Sequence, residues 1–83
     1  MEKGNKERVF HVLQKITGKD YSYVDLDTDI EPEIKLDSIQ FVEFYAALEK
    51  EFDVELPLNM MTVKSKLAFF RLLDEFLSKT EVK

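Results

Sequence analysis

The sequence predicts an all-α fold, a small helical bundle with three main helices, a long first loop and one short helical turn before the last helix. Three observations carry that expectation. Apolar residues recur at helical spacing in three separate segments, and residues that start and stop helices stand at their ends. No segment alternates with period two for long enough to argue for a sheet. The 83 residues are expected to form a single domain, 1–83, near the lower size limit for a core that holds together alone. An apolar content of 45%, including seven Phe, is ample to fill such a core.

The first helix is expected over roughly residues 4–17, where Val9, Val12, Leu13 and Ile16 recur at i, i+3, i+4, i+7. Gly18 follows and supplies the left-handed residue that ends it. From Lys19 to Asp37 the periodicity fails. A loop of that length in so small a domain is expected to be functional or tied down by its own side chains, with Tyr21, Tyr23, Val24, Leu26, Ile30, Ile34 and Leu36 as the candidate ties. The second helix opens with Asp37 as N-cap and Gln40 three residues on, a capping-box-like pair. Phe41, Phe44, Tyr45, Leu48 and Phe52 then form a core stripe, and Pro57 disfavours helix in the residue before it. Leu58 to Met61 leaves room for one helical turn. Thr62 is expected to cap the last helix, whose Phe69, Leu72, Leu73 and Phe76 share one side, widened by Phe70 and Leu77.

The net charge of −5 conceals a sharper pattern. Residues 20–57 hold twelve Asp and Glu against two Lys, whereas the flanking segments are both net basic. An acidic middle repels phosphates, which argues against nucleic acid and favours basic protein partners or a divalent cation. With no Cys there are no disulfides, thiol chemistry or thiolate metal sites, which suits a reducing compartment. The opening residues lack a signal-peptide apolar run and no stretch approaches membrane-spanning length. A cytoplasmic location without membrane insertion is therefore expected. The native Met and the lack of linker sequence lead us to expect a free-standing protein.

Catalysis finds no support. Ser38 would need a general base and an oxyanion hole, yet the chain has only Gly4 and Gly18, so no G-x-S-x-G elbow exists. Its one histidine, His11, reads as a boundary residue beside the first helix's apolar stripe. Asp25, Asp27 and Asp29 match positions one, three and five of an EF-hand loop. However, Ile30 replaces the turn glycine and Leu36 the bidentate glutamate, so no specific metal site is expected, only weak divalent binding at those aspartates. Ser38 itself stands as the first residue of a helix, where unpaired N–H groups and the macrodipole favour an attached phosphate. Helix physics alone leaves two readings open, a mere Asp37–Ser38 cap or a modification site.

The segment LDSIQFVEFYAALEKEFDVELP, residues 36–57, closely resembles the core motif of acyl carrier proteins and their peptidyl and aminoacyl relatives. The likeness is strongly specific, and the first helix, long loop and last helix also fall where that family has them. The resemblance implies a four-helix bundle, here with its short third helix abbreviated. It implies covalent 4'-phosphopantetheine on Ser38, donated from coenzyme A by a phosphopantetheinyl transferase, with Asp37 in support. Ile39, Glu43, Ala46, Ala47 and Glu49 would lie on the face that partners read. The implied function is that of a monomeric acyl carrier protein, not itself an enzyme. It would hold acyl intermediates as thioesters and deliver them to acyl-transferring and acyl-processing enzymes with basic docking surfaces, in fatty-acid, polyketide or related biosynthesis. An aminoacyl or peptidyl carrier is the alternative within the family, and an unmodified acidic helical adaptor is the alternative outside it. Lys35 stands where the family commonly has Gly, Gln40 where Asp is frequent, and only four residues separate Pro57 from Thr62. These departures point to a specialised carrier rather than the housekeeping fatty-acid one, and they do not touch the attachment serine.

Overall fold

A computed structural model describes residues 1–79. Helix α1 spans Lys3–Thr17, α2 Ser38–Phe52 and α3 Lys66–Lys79, with a 3-10 helix, Leu58–Thr62, between the last two. The described residues contain no strand, as the missing period-two pattern implies. None of these helices is long and apolar enough to cross a membrane.

Each helix ends where local chemistry stops it. Gly18 adopts φ 73° and donates its N–H to the Gln14 carbonyl at 2.8 Å, closing α1. At the end of α2 the same left-handed role falls to Asp53, φ 53°, a residue type that tolerates this region better than most. The start of α3 departs from the expectation that Thr62 caps it. Thr62 is used inside the 3-10 helix, donating its Oγ1 hydrogen to the Asn59 carbonyl at 2.8 Å. Ser65 is the cap, its Oγ accepting from the Ala68 N–H at 3.2 Å. Glu31, reaching across from the long loop, completes it: the carboxylate accepts from the N–H groups of Lys66 and Leu67, at 2.8 and 3.2 Å, and from the Ser65 hydroxyl. These bonds hold the Glu31 carboxyl below the ordinary glutamate range, the Ser65 hydroxyl contributing most.

Val9, Val12 and Leu13 of α1 meet Phe44, Tyr45, Leu48 and Phe52 of α2, and Phe69, Phe70, Leu73 and Leu77 of α3 complete the core. The centre of the α3 stripe is therefore rotated from expectation: Phe70 and Leu77 are buried, while Leu72 and Phe76 are half-buried. Phe69 is the hub of a ring cluster, its centroid 5.1 Å from Phe41, 5.7 Å from Phe44 and 5.6 Å from Phe70. At the far end Arg8 ties α1 to α2. Its Nε donates to Glu51 Oε2 at 2.9 Å, a second nitrogen reaches the Glu51 carbonyl, and the guanidinium sits 4.3 Å from the Phe52 ring centre.

The long loop is tied down, though by fewer residues than its composition suggests. Tyr21, Leu26 and Ile34 are buried and Val24 and Leu36 half-buried, whereas Tyr23 and Ile30 are 68% and 73% exposed. Tight local turns decide which residues face inward: the Val24 N–H donates to the Tyr21 carbonyl and the Asp27 N–H to Asp25 Oδ1, both at 2.9 Å.

Candidate functional site

Helix α2 begins in a complete capping box. The Gln40 N–H donates to Asp37 Oδ1 at 2.7 Å, and the Asp37 N–H donates to Gln40 Oε1 at 3.2 Å. Asp37 is extended, φ −76° and ψ 177°, so the chain turns sharply into the helix at this point. Ser38 is the first helical residue, exposed, and its hydroxyl makes no hydrogen bond to any described residue. Capping therefore consumes Asp37 and Gln40 and leaves the serine free. A hydroxyl at an open helix tip, uncommitted to the fold, can accept a large covalent substituent without displacing any contact. Phosphopantetheine fits here on those grounds, since its phosphate would lie at the end of the helix where the backbone dipole favours negative charge.

Around the serine, α2 presents an exposed stripe. Ile39 is 72% and Val42 51% exposed, and Glu43 and Ala46 are exposed beside them. These four follow i, i+3, i+4, i+7 and so share one face. Sequence reasoning missed Val42, although the spacing from Ile39 was the available signal. Ala47 and Glu49, expected on the same face, sit at its two edges, each about 80° from Ile39 around the helix. Ala47 packs against the core and lines a groove with Val12 and Lys15 of α1. Glu49 turns the other way, its Oε2 accepting from the Leu56 N–H at 2.9 Å. The adjacent Tyr45 hydroxyl donates to the Leu56 carbonyl at 2.5 Å. Burial raises the Tyr45 phenol above its ordinary pKa, reinforced by Glu49 and Glu55. Glu49 therefore holds the segment after α2 in place.

Asp25, Asp27 and Asp29 do not converge. Asp25 accepts from the Asp27 backbone, Asp27 pairs with Lys6 and the N-terminal ammonium, and Asp29 pairs with Arg71 on α3. No group of acidic or His side chains among the described residues is arranged to hold a metal ion. The weak divalent binding expected at these aspartates thus has no shared site, because each carboxylate is directed to a different partner. His11 is exposed on α1, as its place beside the stripe implies.

A family model described as a phosphopantetheine attachment site matches residues 7–67, which takes in most of α1, the long loop, all of α2, the 3-10 helix and the start of α3. The chain is 38% identical over 56 residues to a D-alanyl carrier protein of Lactococcus lactis subsp. cremoris, covering 68% of this chain and 71% of that one. A D-alanyl carrier protein of Lactococcus lactis subsp. lactis is 36% identical over the same shares. No solved structure gives a significant match.

Proposed function

The chain belongs to the family of phosphopantetheine-attachment carrier proteins, and we propose that Ser38 is the residue that bears the arm and that the cargo is an aminoacyl group. It is a carrier and not an enzyme. The observation that supports the position is the exposed, unbonded Ser38 hydroxyl at the tip of a helix whose cap is satisfied by its neighbours. For the cargo, the D-alanyl carrier relatives favour an aminoacyl carrier over the fatty-acyl or polyketide carrier that heads the expectations from sequence.

When bound, the arm supplies a terminal thiol, which this Cys-free chain lacks. The chain's own contribution begins at attachment. The Ser38 oxygen would bond to the pantetheine-side phosphorus of coenzyme A as the pyrophosphate P–O bond breaks, its proton passing to a base of the transferase and the nucleotide half leaving as adenosine 3',5'-bisphosphate. Asp37 and Gln40 keep the chain turned so that this oxygen faces solvent. The exposed stripe of Ile39, Val42, Glu43 and Ala46 offers partner enzymes an apolar patch with an acidic member, suited to brief, salt-sensitive contacts. We place this exchange in the cytoplasm.

Incubation with coenzyme A, Mg²⁺ and a broad-specificity phosphopantetheinyl transferase should add one phosphopantetheine by intact mass to the wild type and none to Ser38→Ala. The two proteins should melt together, because the Ser38 hydroxyl makes no hydrogen bond to any described residue. Labelling that persists in Ser38→Ala removes the assignment. The intact mass of the protein from its own host then reads the cargo, and an alkyl acyl addition there would restore the acyl-carrier reading.

A further inference from the structure

The long loop displays two large apolar side chains that the core does not use. Tyr23 is 68% and Ile30 73% exposed, while Tyr21, Leu26 and Ile34 around them are buried. Single exposed apolar residues are ordinary on a protein surface. These two act as a pair: with Val24 and Pro32 they line one groove of about 270 Å³, rimmed by Asp25 and Glu33. The segment that carries them is anchored. Ile30 stands between Asp29, paired with Arg71, and Glu31, bonded to the start of α3. Tyr23 lies inside the turn closed by the Val24 N–H and the Tyr21 carbonyl, its ring 6.2 Å from that of Tyr21. The Tyr21 hydroxyl accepts from the Lys35 N–H at 3.4 Å, which ties the two limbs of the loop together. A partner could therefore bury the groove without first ordering the loop, and so without that entropic cost.

Position and charge narrow the partner. Glu31 caps the first turn of α3, and Phe69 in that turn packs on Phe41 in the first turn of α2. Ile30 thus belongs to the end of the bundle at which Ser38 stands. Yet the groove takes no lining residue from α2, so it is separate from the stripe of Ile39, Val42, Glu43 and Ala46. Asp25 and Glu33 are exposed and make no salt bridge with any described residue, unlike Asp27 and Asp29, so the rim keeps its negative charge for a basic surface. Attachment of the arm needs only Ser38 and the helix around it. An enzyme that charges the arm acts on an atom at its far end, and it gains from holding the carrier at more than one place.

We infer that the Tyr23–Ile30 groove is a second docking surface, used by the enzyme that charges the arm. That enzyme would engage it through a segment that pairs an apolar side chain with Lys or Arg. The inference rests on the carrier reading of Ser38 and adds to it a contact outside α2 that one class of partner reads and the transferase does not.

The test uses the arm-bearing protein, prepared with the broad-specificity transferase, and the host's charging enzyme, purified by the mass gain it produces on that protein. Initial charging rates are read by intact mass. The double variant Tyr23→Ser, Ile30→Ser should raise the KM for the carrier about tenfold and leave kcat unchanged, the loss expected when anchor side chains leave an interface. Glu33→Lys should raise KM at low salt and converge on wild type as salt rises. The double variant should melt within about 2 °C of wild type and accept phosphopantetheine at the wild-type rate, because the side chains removed are exposed and α2 is untouched. Should it melt lower, Ile30→Ser alone makes the same comparison, with a rise in KM of about threefold. An unchanged KM in these variants overturns the proposal. An equal loss in charging and in transferase loading also overturns it, since the effect would then belong to the carrier as a whole and not to one partner. Failure of the wild type to gain the phosphopantetheine mass brings down the carrier reading and this inference with it, and it is seen before any charging is measured.

Discussion

Asp37 performs two separable tasks in our account, and substitution can divide them. Its Oδ1 accepts from the Gln40 N–H at 2.7 Å, which is the helix cap. The carboxylate also places a negative charge directly beside Ser38, on the approach of any basic enzyme. Asp37→Ala removes both. Loss of an N-cap side chain costs about 1 kcal/mol, against a total stability of about 4–12 kcal/mol for a domain of this size. A loss of about 1 kcal/mol lowers Tm by about 4–8 °C in a domain of 60–100 residues. Asp37→Asn keeps an oxygen that accepts from Gln40 and removes only the charge, so its Tm should stay within about 2 °C of wild type. Loading by the transferase, followed by intact mass at low and high salt, then reads the second task. Asp37→Asn should load more slowly at low salt and converge on wild type as salt rises, since screening removes what the charge contributed. Equal loading of Asp37→Asn and wild type at every salt would leave Asp37 as a cap alone. Equal Tm values for wild type and Asp37→Ala would refute the capping argument itself.

Three further outcomes follow from the contacts. Tyr45→Phe deletes the donor to the buried Leu56 carbonyl and should cost about 1–2 kcal/mol, lowering Tm by roughly 4–16 °C; an unchanged melt would show that the bond adds nothing. Glu43→Lys should slow loading and flatten its salt dependence without changing Tm, whereas Glu49→Lys should lower Tm because the Leu56 N–H loses its acceptor; melts that rank the two in the opposite order would reverse this division of the helix. Acid should loosen the fold through Glu31 and Asp27, both held below the ordinary carboxylate range, Asp27 chiefly by Lys6 and then by the N-terminal ammonium. A carboxylate with a depressed folded pKa contributes stability above its unfolded pKa and loses it as pH falls through the folded value. Tm should therefore drop from about pH 5 downward, and less steeply in Glu31→Gln; identical slopes would remove Glu31 from the account.

The helices, and the position of Ser38 at the start of one, are legible from sequence because the signals that fix them are local. Val9, Val12 and Leu13 lie within one turn of each other, Gly18 ends α1 by its own φ, and Asp37 and Gln40 cap α2 from three residues apart. What escaped was set by contacts between distant segments. Ser65 serves as cap together with Glu31, 34 residues away along the chain, and nothing in the periodicity of α3 indicates that partner. Glu49 reads as an exposed member of the α2 face until the chain after Asp53 folds back and brings the Leu56 N–H to it. Likewise Tyr23 and Ile30 are as apolar as Tyr21 and Ile34, and only the turns of the loop direct one pair outward and the other inward.

The same distinction explains the acidic middle of the chain. Counted along the sequence, residues 20–57 form one block of negative charge. In space, Asp27 faces Lys6, Asp29 faces Arg71, Glu31 faces the start of α3 and Glu51 faces Arg8. The basic flanks that the sequence shows on either side are the partners of these carboxylates, drawn from α1 and α3. Ion pairs at such exposure add little stability singly, yet those of Asp27 and Asp29 each fix a point on a loop that has no regular structure of its own, and that of Glu51 joins α2 to α1. Glu43, on the exposed α2 stripe and without a described partner, differs from them in kind. A charge already satisfied within the fold has little left to offer a second protein, whereas an uncommitted one beside Ile39 and Val42 keeps its full field for an approaching basic surface. The fold thus commits several of its carboxylates to holding the loop and joining the helices, and leaves a small acidic and apolar face on the helix that begins with Ser38.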